Sequence, residues 1–421
     1  MTFDDYVTMF QERLWFPDPY PLLAVAGAIA ANRIPGEPVW VCVVGPSSSG
    51  KNALLEPFLA LDRVEGLSDL TLAGLLTAGG SRQGTGGVLN RLGPTGGIIL
   101  IKDMSWLFAA HAEAEGRLIP ALREVHDGSV NRALGSRGGQ TIEWPGGGRR
   151  AKVGLLAAAT DVIDLHAGVV NAMGPRMILA RMPKPDHRAV ITTAARNVAR
   201  VDDMRGAFAA ATVELFDGLD SSRVAQPDGV VDEALRDISE FVAIARSPVQ
   251  RDRNGRIVLV GEPEVGARLY HGLAQQRRGL VALGCDPRRA DAIVRRMGMD
   301  SIPALHRRIV DHLGEVGATP GAHHIGSDLG YPPATVFDVL EELAARGVVQ
   351  RDPGRTDRED RWSLSEWARS RLASAESSAS IAGSAGGSVG ENRFQDSWGN
   401  PIDPLDDDNE RGLGPHRNGD P

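Results

Sequence analysis

Two kinds of apolar run alternate through the first half of the chain. Val39 to Val44, Ile98 to Ile101, Val153 to Ala159 and Met177 to Met182 are continuous blocks, the pattern of strands buried on both faces. Around them apolar residues recur at helical spacing: Tyr6, Met9, Phe10 and Leu14, then Leu22, Leu23, Val25, Ala26 and Ile29, and later Leu118 to His126. Lys51 to Leu61 reads as the helix after the first block, with Pro57 expected to bend it. Strands alternating with helices predict an α/β fold with a mostly parallel sheet covered on both faces. Glycine crowds residues 79–97, which predicts loop, and from about 200 to 300 the pattern becomes helical.

Residues 301–370 carry a compact pattern of their own. Helices are expected over Ile302 to Val316, His323 to Leu329 and Ala334 to Arg346, with a turn at Gly330-Tyr331-Pro332-Pro333. Gly347 ends the last helix, and Val348 to Arg351 and Arg361 to Leu364 flank a charged turn. Helix, turn, helix and a two-strand wing is the winged helix-turn-helix order. Residues 372–421 lack any apolar period and predict a disordered tail.

Composition narrows the class. The 421 residues suffice for two or three domains, and 42% hydrophobic with 24% charged residues is ordinary for a soluble protein. Cys42 and Cys285 make neither a disulfide framework nor a zinc site. The acidic start MTFDDY is no secretory signal, and Leu22 to Ala31 is too short to span a bilayer, so a cytoplasmic location without a membrane partner is expected. From Glu391 onward eight acids against three arginines supply −5 of the net charge of −8, leaving the folded part near neutral. Such a tail solvates the chain or binds a protein partner.

The chemistry begins at the tip of the first block. Gly45-Pro46-Ser47-Ser48-Ser49-Gly50-Lys51-Asn52 is the phosphate loop G-x-x-x-x-G-K-[ST] with Asn52 in place of Ser or Thr. Gly45 and Gly50 let backbone N–H groups converge on phosphates, and Lys51 reaches the β and γ phosphates. Position 52 ordinarily offers Mg²⁺ a hydroxyl, where Asn52 has a longer amide oxygen. The cofactors expected from the loop are therefore a nucleoside triphosphate and Mg²⁺. A nucleotide hydrolase also needs a carboxylate at a neighbouring strand tip, and Asp103 ends the block Ile98 to Ile101.

In order along the chain, GPSSSGKN at 45–52, SDLTLAGLLTAG at 68–79, GGIILIKDMSWLF at 96–108, LREVHDGSVNR at 122–132, KVGLLAAATDVID at 152–164 and GPRMILARMP at 174–183 resemble AAA+ ATPases of phages and integrating mobile elements, relatives of the minichromosome-maintenance helicases. Residues 242–269 and 296–310 look like that family's lid and its junction to a C-terminal winged helix. The likeness runs over about residues 20 to 365; with the helical pattern before it and the composition after it, the expected division is an N-terminal helical lead over 1–34, a P-loop ATPase core over 35–200, a helical lid over 201–300, a winged helix over 301–370 and a disordered acidic tail over 371–421. The resemblance implies that Asp103 serves at the second nucleotide motif, doing both the metal's and the water's job or leaving one unfilled, that Thr160 is the polar sensor near the γ-phosphate, and that Arg176 is an arginine finger acting on a neighbouring subunit of a homo-oligomer. In ring helicases the hairpin corresponding to residues 132–144 lines the channel, which puts Arg132, Arg137 and Trp144 against threaded DNA.

Two departures matter. Most AAA+ proteins carry adjacent Asp and Glu where this chain has Lys102-Asp103, and Asn52 weakens the metal site again. ATP binding is thus better supported than rapid hydrolysis. The winged-helix module holds twelve acids and eight arginines between Asp300 and Ser370, a poor match to phosphate, so protein and DNA both stand as its partner. Arginine pairs at 277/278, 288/289, 295/296 and 307/308 supply basic character elsewhere. An ATPase that remodels or moves along DNA, a nucleotide-responsive regulator and an ATP-binding scaffold are the readings left open.

Overall fold

The computed structural model describes residues 1–380 except 77–85, 110–111, 134–140, 166–172, 175, 225–228, 317–318 and 357–358. Five parallel strands form the central sheet: β1 (Trp40–Val44), β2 (Val64–Leu67), β3 (Gly96–Ile101), β6 (Lys152–Ala159) and β7 (Met177–Arg181), in the order β2-β3-β6-β1-β7. Between β3 and β6 the hairpin strands β4 (Val130–Ala133) and β5 (Thr141–Trp144) pair antiparallel. The α/β architecture with a parallel sheet follows the sequence pattern. Both faces are buried, because alternate residues of each central strand enter different cores. Val41, Val43, Leu156 and Ala180 join one, and Cys42, Val44, Leu155 and Leu179 the other.

The N-terminal helices are integral to the first core. In the helix Tyr20–Arg33 every residue from Tyr20 to Ala31 is buried, against the sheet on one side and the helix Ala267–Ala282 on the other. A buried polar hub fixes the next helix, Pro287–Asp300, beneath β7. Asp300 accepts from Tyr20 Oη at 2.5 Å and from the Arg181 backbone N–H at 2.7 Å, and Arg307 pairs with it. The carboxylate thus ties the amino-terminal segment, a sheet strand and the start of the 301–370 module together.

Several elements differ from the sequence expectation. Strand β2 and the helix Val88–Leu92 were not foreseen. β2 is a four-residue edge strand, mostly half-buried, so it shows no continuous apolar block. The Lys51 helix becomes 3₁₀ over Glu56–Ala60, where Pro57 sits. The 200–300 region is not wholly helical: β8 (Gln250–Arg251) and β9 (Ile257–Leu259) form a short hairpin. Helices Ala304–Glu315, Ala322–Leu329 and Pro333–Ala345 precede the antiparallel pair β10 (Val349–Asp352) and β11 (Arg361–Leu364). The final helix, Glu366–Ser380, extends into the segment expected to be disordered, while the rest of the acidic tail lies outside the described residues. Among the described residues no helix is long and apolar enough to cross a membrane.

Candidate nucleotide site

The phosphate-loop residues leave the carboxyl end of β1, the edge of an open parallel sheet where ligands gather. Gly45 is buried, its N–H donates to Ala159 O at 3.2 Å, and a Cβ there would strike Met182. Met182 N–H donates in turn to Val44 O at 2.7 Å. The loop base is thereby pinned between β6 and β7. Pro46, Ser47, Ser48 and Ser49 form the turn, with Ser48 (φ 64°) and Gly50 (φ 87°) left-handed. For Ser48 that conformation costs about 1 kcal/mol or more, strain of the kind concentrated at ligand clamps.

Lys51 opens the helix Lys51–Leu55 and folds back over the loop, donating from Nζ to Gly45 O at 2.6 Å and Pro46 O at 2.7 Å. Burial lowers its pKa, while Asp161 and Asp103 close by oppose the shift. Asn52, in the first turn, is exposed.

Asp103 and Thr160 come together through a residue that sequence reasoning missed. Asp103 accepts the Ser105 backbone N–H at 2.8 Å. Ser105 Oγ in turn accepts the Thr160 backbone N–H at 3.0 Å and lies 3.2 Å from Thr160 Oγ1. A hydroxyl two residues after a strand-end Asp is the signal that was available. Since β6 lies between β1 and β3, Thr160 sits between the loop and Asp103. Asp161, also missed, adds a second exposed carboxylate close enough to Lys51 to oppose its shift. Lys102 turns to Glu56, with Nζ 2.6 Å from its carboxylate, and is neutralised there.

Arg176 lies at the other end of the sheet. It precedes β7, whose Met177 pairs with Trp40, whereas the loop follows Val44. Five strand residues separate the two edges, about 16 Å. The guanidinium is buried; its Nη2 donates to both Asp127 oxygens, Oδ1 at 3.1 Å and Oδ2 at 3.0 Å, and its Nη1 to Met173 O at 3.3 Å. Burial acts to raise the Asp127 pKa, but the hydrogen bonding and charge of Arg176, with Arg268 and His126, together outweigh it and hold the carboxyl below its usual range. Burial and the Arg176 charge push neighbouring His126 down to about 4.

The residues expected to meet DNA fare differently. Trp144 is buried in the second core, so the expectation that it faces a threaded strand is corrected. Arg132 lies on β4, and Arg137 falls outside the described residues. The arginine pairs are largely engaged within the chain: Arg277 with Asp291, Arg289 with Asp4, Arg296 with Asp18 and Arg307 with Asp300.

Among the described residues no group of three or more His, Cys, Asp or Glu side chains gathers for a metal. Mg²⁺ bound with nucleotide phosphates needs only one or two protein ligands, and exposed Asn52 and Asp103 fit that smaller demand. Compared with protein-family models and with curated proteins, the chain matches none.

Proposed function

We propose that the chain is an ATP-binding, AAA+-like ATPase that works as a head-to-tail homo-oligomer and remodels or translocates on DNA for a phage or mobile element. The observation that carries this reading is the division of the site between two edges of one sheet. Lys51, Asp103 and Thr160 converge at one edge, and Arg176 stands at the other, out of reach of its own phosphate loop. A guanidinium so placed serves a phosphoryl group only on a second copy.

The chemistry assigned to each residue follows from its position. Loop N–H groups and Lys51 hold the phosphates, with Lys51 exchanging two carbonyl acceptors for charged oxygens. Bound Mg²⁺ would neutralise charge on the phosphates. Asp103 and Thr160 orient water near the terminal phosphate, and one carboxylate at the tip of β3, where Lys102 stands in place of a second, makes hydrolysis slow. The helix His187–Asn197, which follows β7, buries none of its residues and exposes Ile191, which supports a protein neighbour on the loop side.

A nucleotide-responsive regulator is the second reading, favoured by the module over 301–370. Its order of three helices and a hairpin supports a winged helix. Yet the helix Pro333–Ala345, the one that would enter a DNA groove, is held by Arg251, which lies 3.3 Å from Glu341 and 3.0 Å from Glu342. Arg346 donates to Ser247 O and Gly261 O. Such docking suits a protein contact better than a groove reader.

ATP turnover of the full chain, with and without single-stranded DNA, tests the proposal. Slow turnover raised by DNA and abolished in Lys51→Ala is expected. A wild type that neither binds nor hydrolyses ATP contradicts it.

A further inference from the structure

The sheet edge opposite the phosphate loop opens into a cavity of about 430 Å³. Its wall includes Arg176, Arg150 and Arg268, with Asp127 and Glu37 as the opposing carboxylates. Arg176 is 5% exposed at its side chain, and among the described residues its Nε has no hydrogen-bond partner. A buried guanidinium with an unused donor is costly unless an acceptor comes. Arg268, in the first turn of the helix Ala267–Ala282, stands 3.9 Å from the same Asp127 carboxylate and is half-exposed.

Asp127 is the carboxylate that pairs with Arg176 while half-open to solvent. It lies just beyond the helix Ala112–His126, and Gly128 beside it is left-handed (φ 90°), so the carboxylate rides on a turn. Its side chain is 49% exposed, so on leaving Arg176 it regains water, while the incoming anion replaces the hydrogen bonds Arg176 gives up. A tetrahedral phosphate group carries more acceptor oxygens and more charge than a carboxylate and suits a fork of guanidinium donors.

We infer that this cavity is a polyphosphate-binding site whose resting occupant is Asp127, and that an incoming terminal phosphate displaces Asp127 to take Arg176 and Arg268 together. Asp127 is then an autoinhibitory residue, and Arg268 a second cation. Naming the natural ligand as the nucleotide held by a second copy rests on the proposed function, whereas the anion site does not.

The test uses inorganic tripolyphosphate titrated calorimetrically into the full-length Lys51→Ala chain, whose own phosphate loop is disabled. Adding Asp127→Asn, which keeps the shape and one acceptor, should tighten binding about tenfold, the scale of one charge-assisted hydrogen bond. Adding the half-exposed Arg268→Gln instead should weaken it by a similar factor. Binding unchanged by both substitutions, or lost with Asp127→Asn in a chain whose circular dichroism is intact, overturns the site. The source is read separately, from ATP-dependent self-association of chains with Lys51 intact. Asp127→Asn should lower the concentration at which they associate. Tighter tripolyphosphate binding with unaltered association would overturn the second copy as its source and leave free polyphosphate.

Discussion

Gly279 meets Gly27 backbone to backbone where the helix Ala267–Ala282 crosses the helix Tyr20–Arg33. A Cβ on Gly279 would press into Gly27 O and the Ala31 backbone, closer than side chains tolerate. Gln275 and Gln276 strengthen the crossing by donating to Ala31 O at 2.9 Å and Ala24 O at 2.7 Å. Through this contact the 201–300 region is fastened to the face of the parallel sheet. Gly279→Ala should cost about 1–3 kcal/mol, the range for overpacking a well-filled core. Thermal unfolding checks it: a midpoint equal to wild type would mean that the helices part easily.

In the proposed nucleotide site, Asn52 is the departure from the loop pattern that bears on Mg²⁺. Asn52→Thr shortens the ligand to a hydroxyl of the ordinary kind and should raise ATP turnover or lower the Mg²⁺ concentration needed for half-maximal rate. Steady-state turnover across a Mg²⁺ series decides it. Slower turnover in a folded variant would show that the amide is adapted to this site.

His126 gives the fold a pH dependence of definite sign. Burial holds its folded-state pKa at about 4, so the native ring stays neutral where the unfolded ring, near 6.5, takes up a proton. The associated stability is complete above about pH 6.5 and is lost as pH falls toward 4. Between pH 7 and pH 5 the loss should be about 2 kcal/mol. Denaturant unfolding at both pH values should show this drop, and a smaller one in His126→Gln. An equal drop in both proteins would place the titration elsewhere.

Much of the sheet was legible because β1, β3, β6 and β7 are continuous apolar runs that only burial on two faces explains. The places of the candidate loop, Asp103 and Thr160 at strand tips were legible because each follows such a run. β2 and the β8–β9 hairpin escaped because two to four partly exposed residues carry no periodic signal. Asp127 was illegible as the partner of Arg176 for another reason. The two are 49 residues apart, and only the return of β7 beside β1 brings them together. Trp144 looked like a channel residue, since a sequence records an aromatic without saying which face of a hairpin it takes.

Arg251 anchors the helix Pro333–Ala345 through three acids and the Asp338 carbonyl. Its partners are partly exposed, so Arg251→Ala should loosen the helix by about 1–2 kcal/mol rather than unfold the chain. Hydrogen exchange should quicken over residues 333–345 and stay unchanged in β1 and β6. Unaltered exchange in the helix would mean that its own core, through Val336, Leu340 and Leu343, holds it without the arginine.

The central claim is that one copy's Arg176 completes the nucleotide site of another, and subunit mixing tests it most directly. Arg176→Ala and Lys51→Ala chains, each inactive alone, are combined under conditions where sedimentation shows exchange, and ATPase rate is followed against the mixing ratio. A trans arginine is worth about 10³–10⁵ in rate in well-studied phosphoryl-transfer systems, so even sparse hybrid sites should register. The account predicts activity in the mixture above both parents, greatest near equal proportions. A mixture that exchanges subunits yet never exceeds either parent would contradict it.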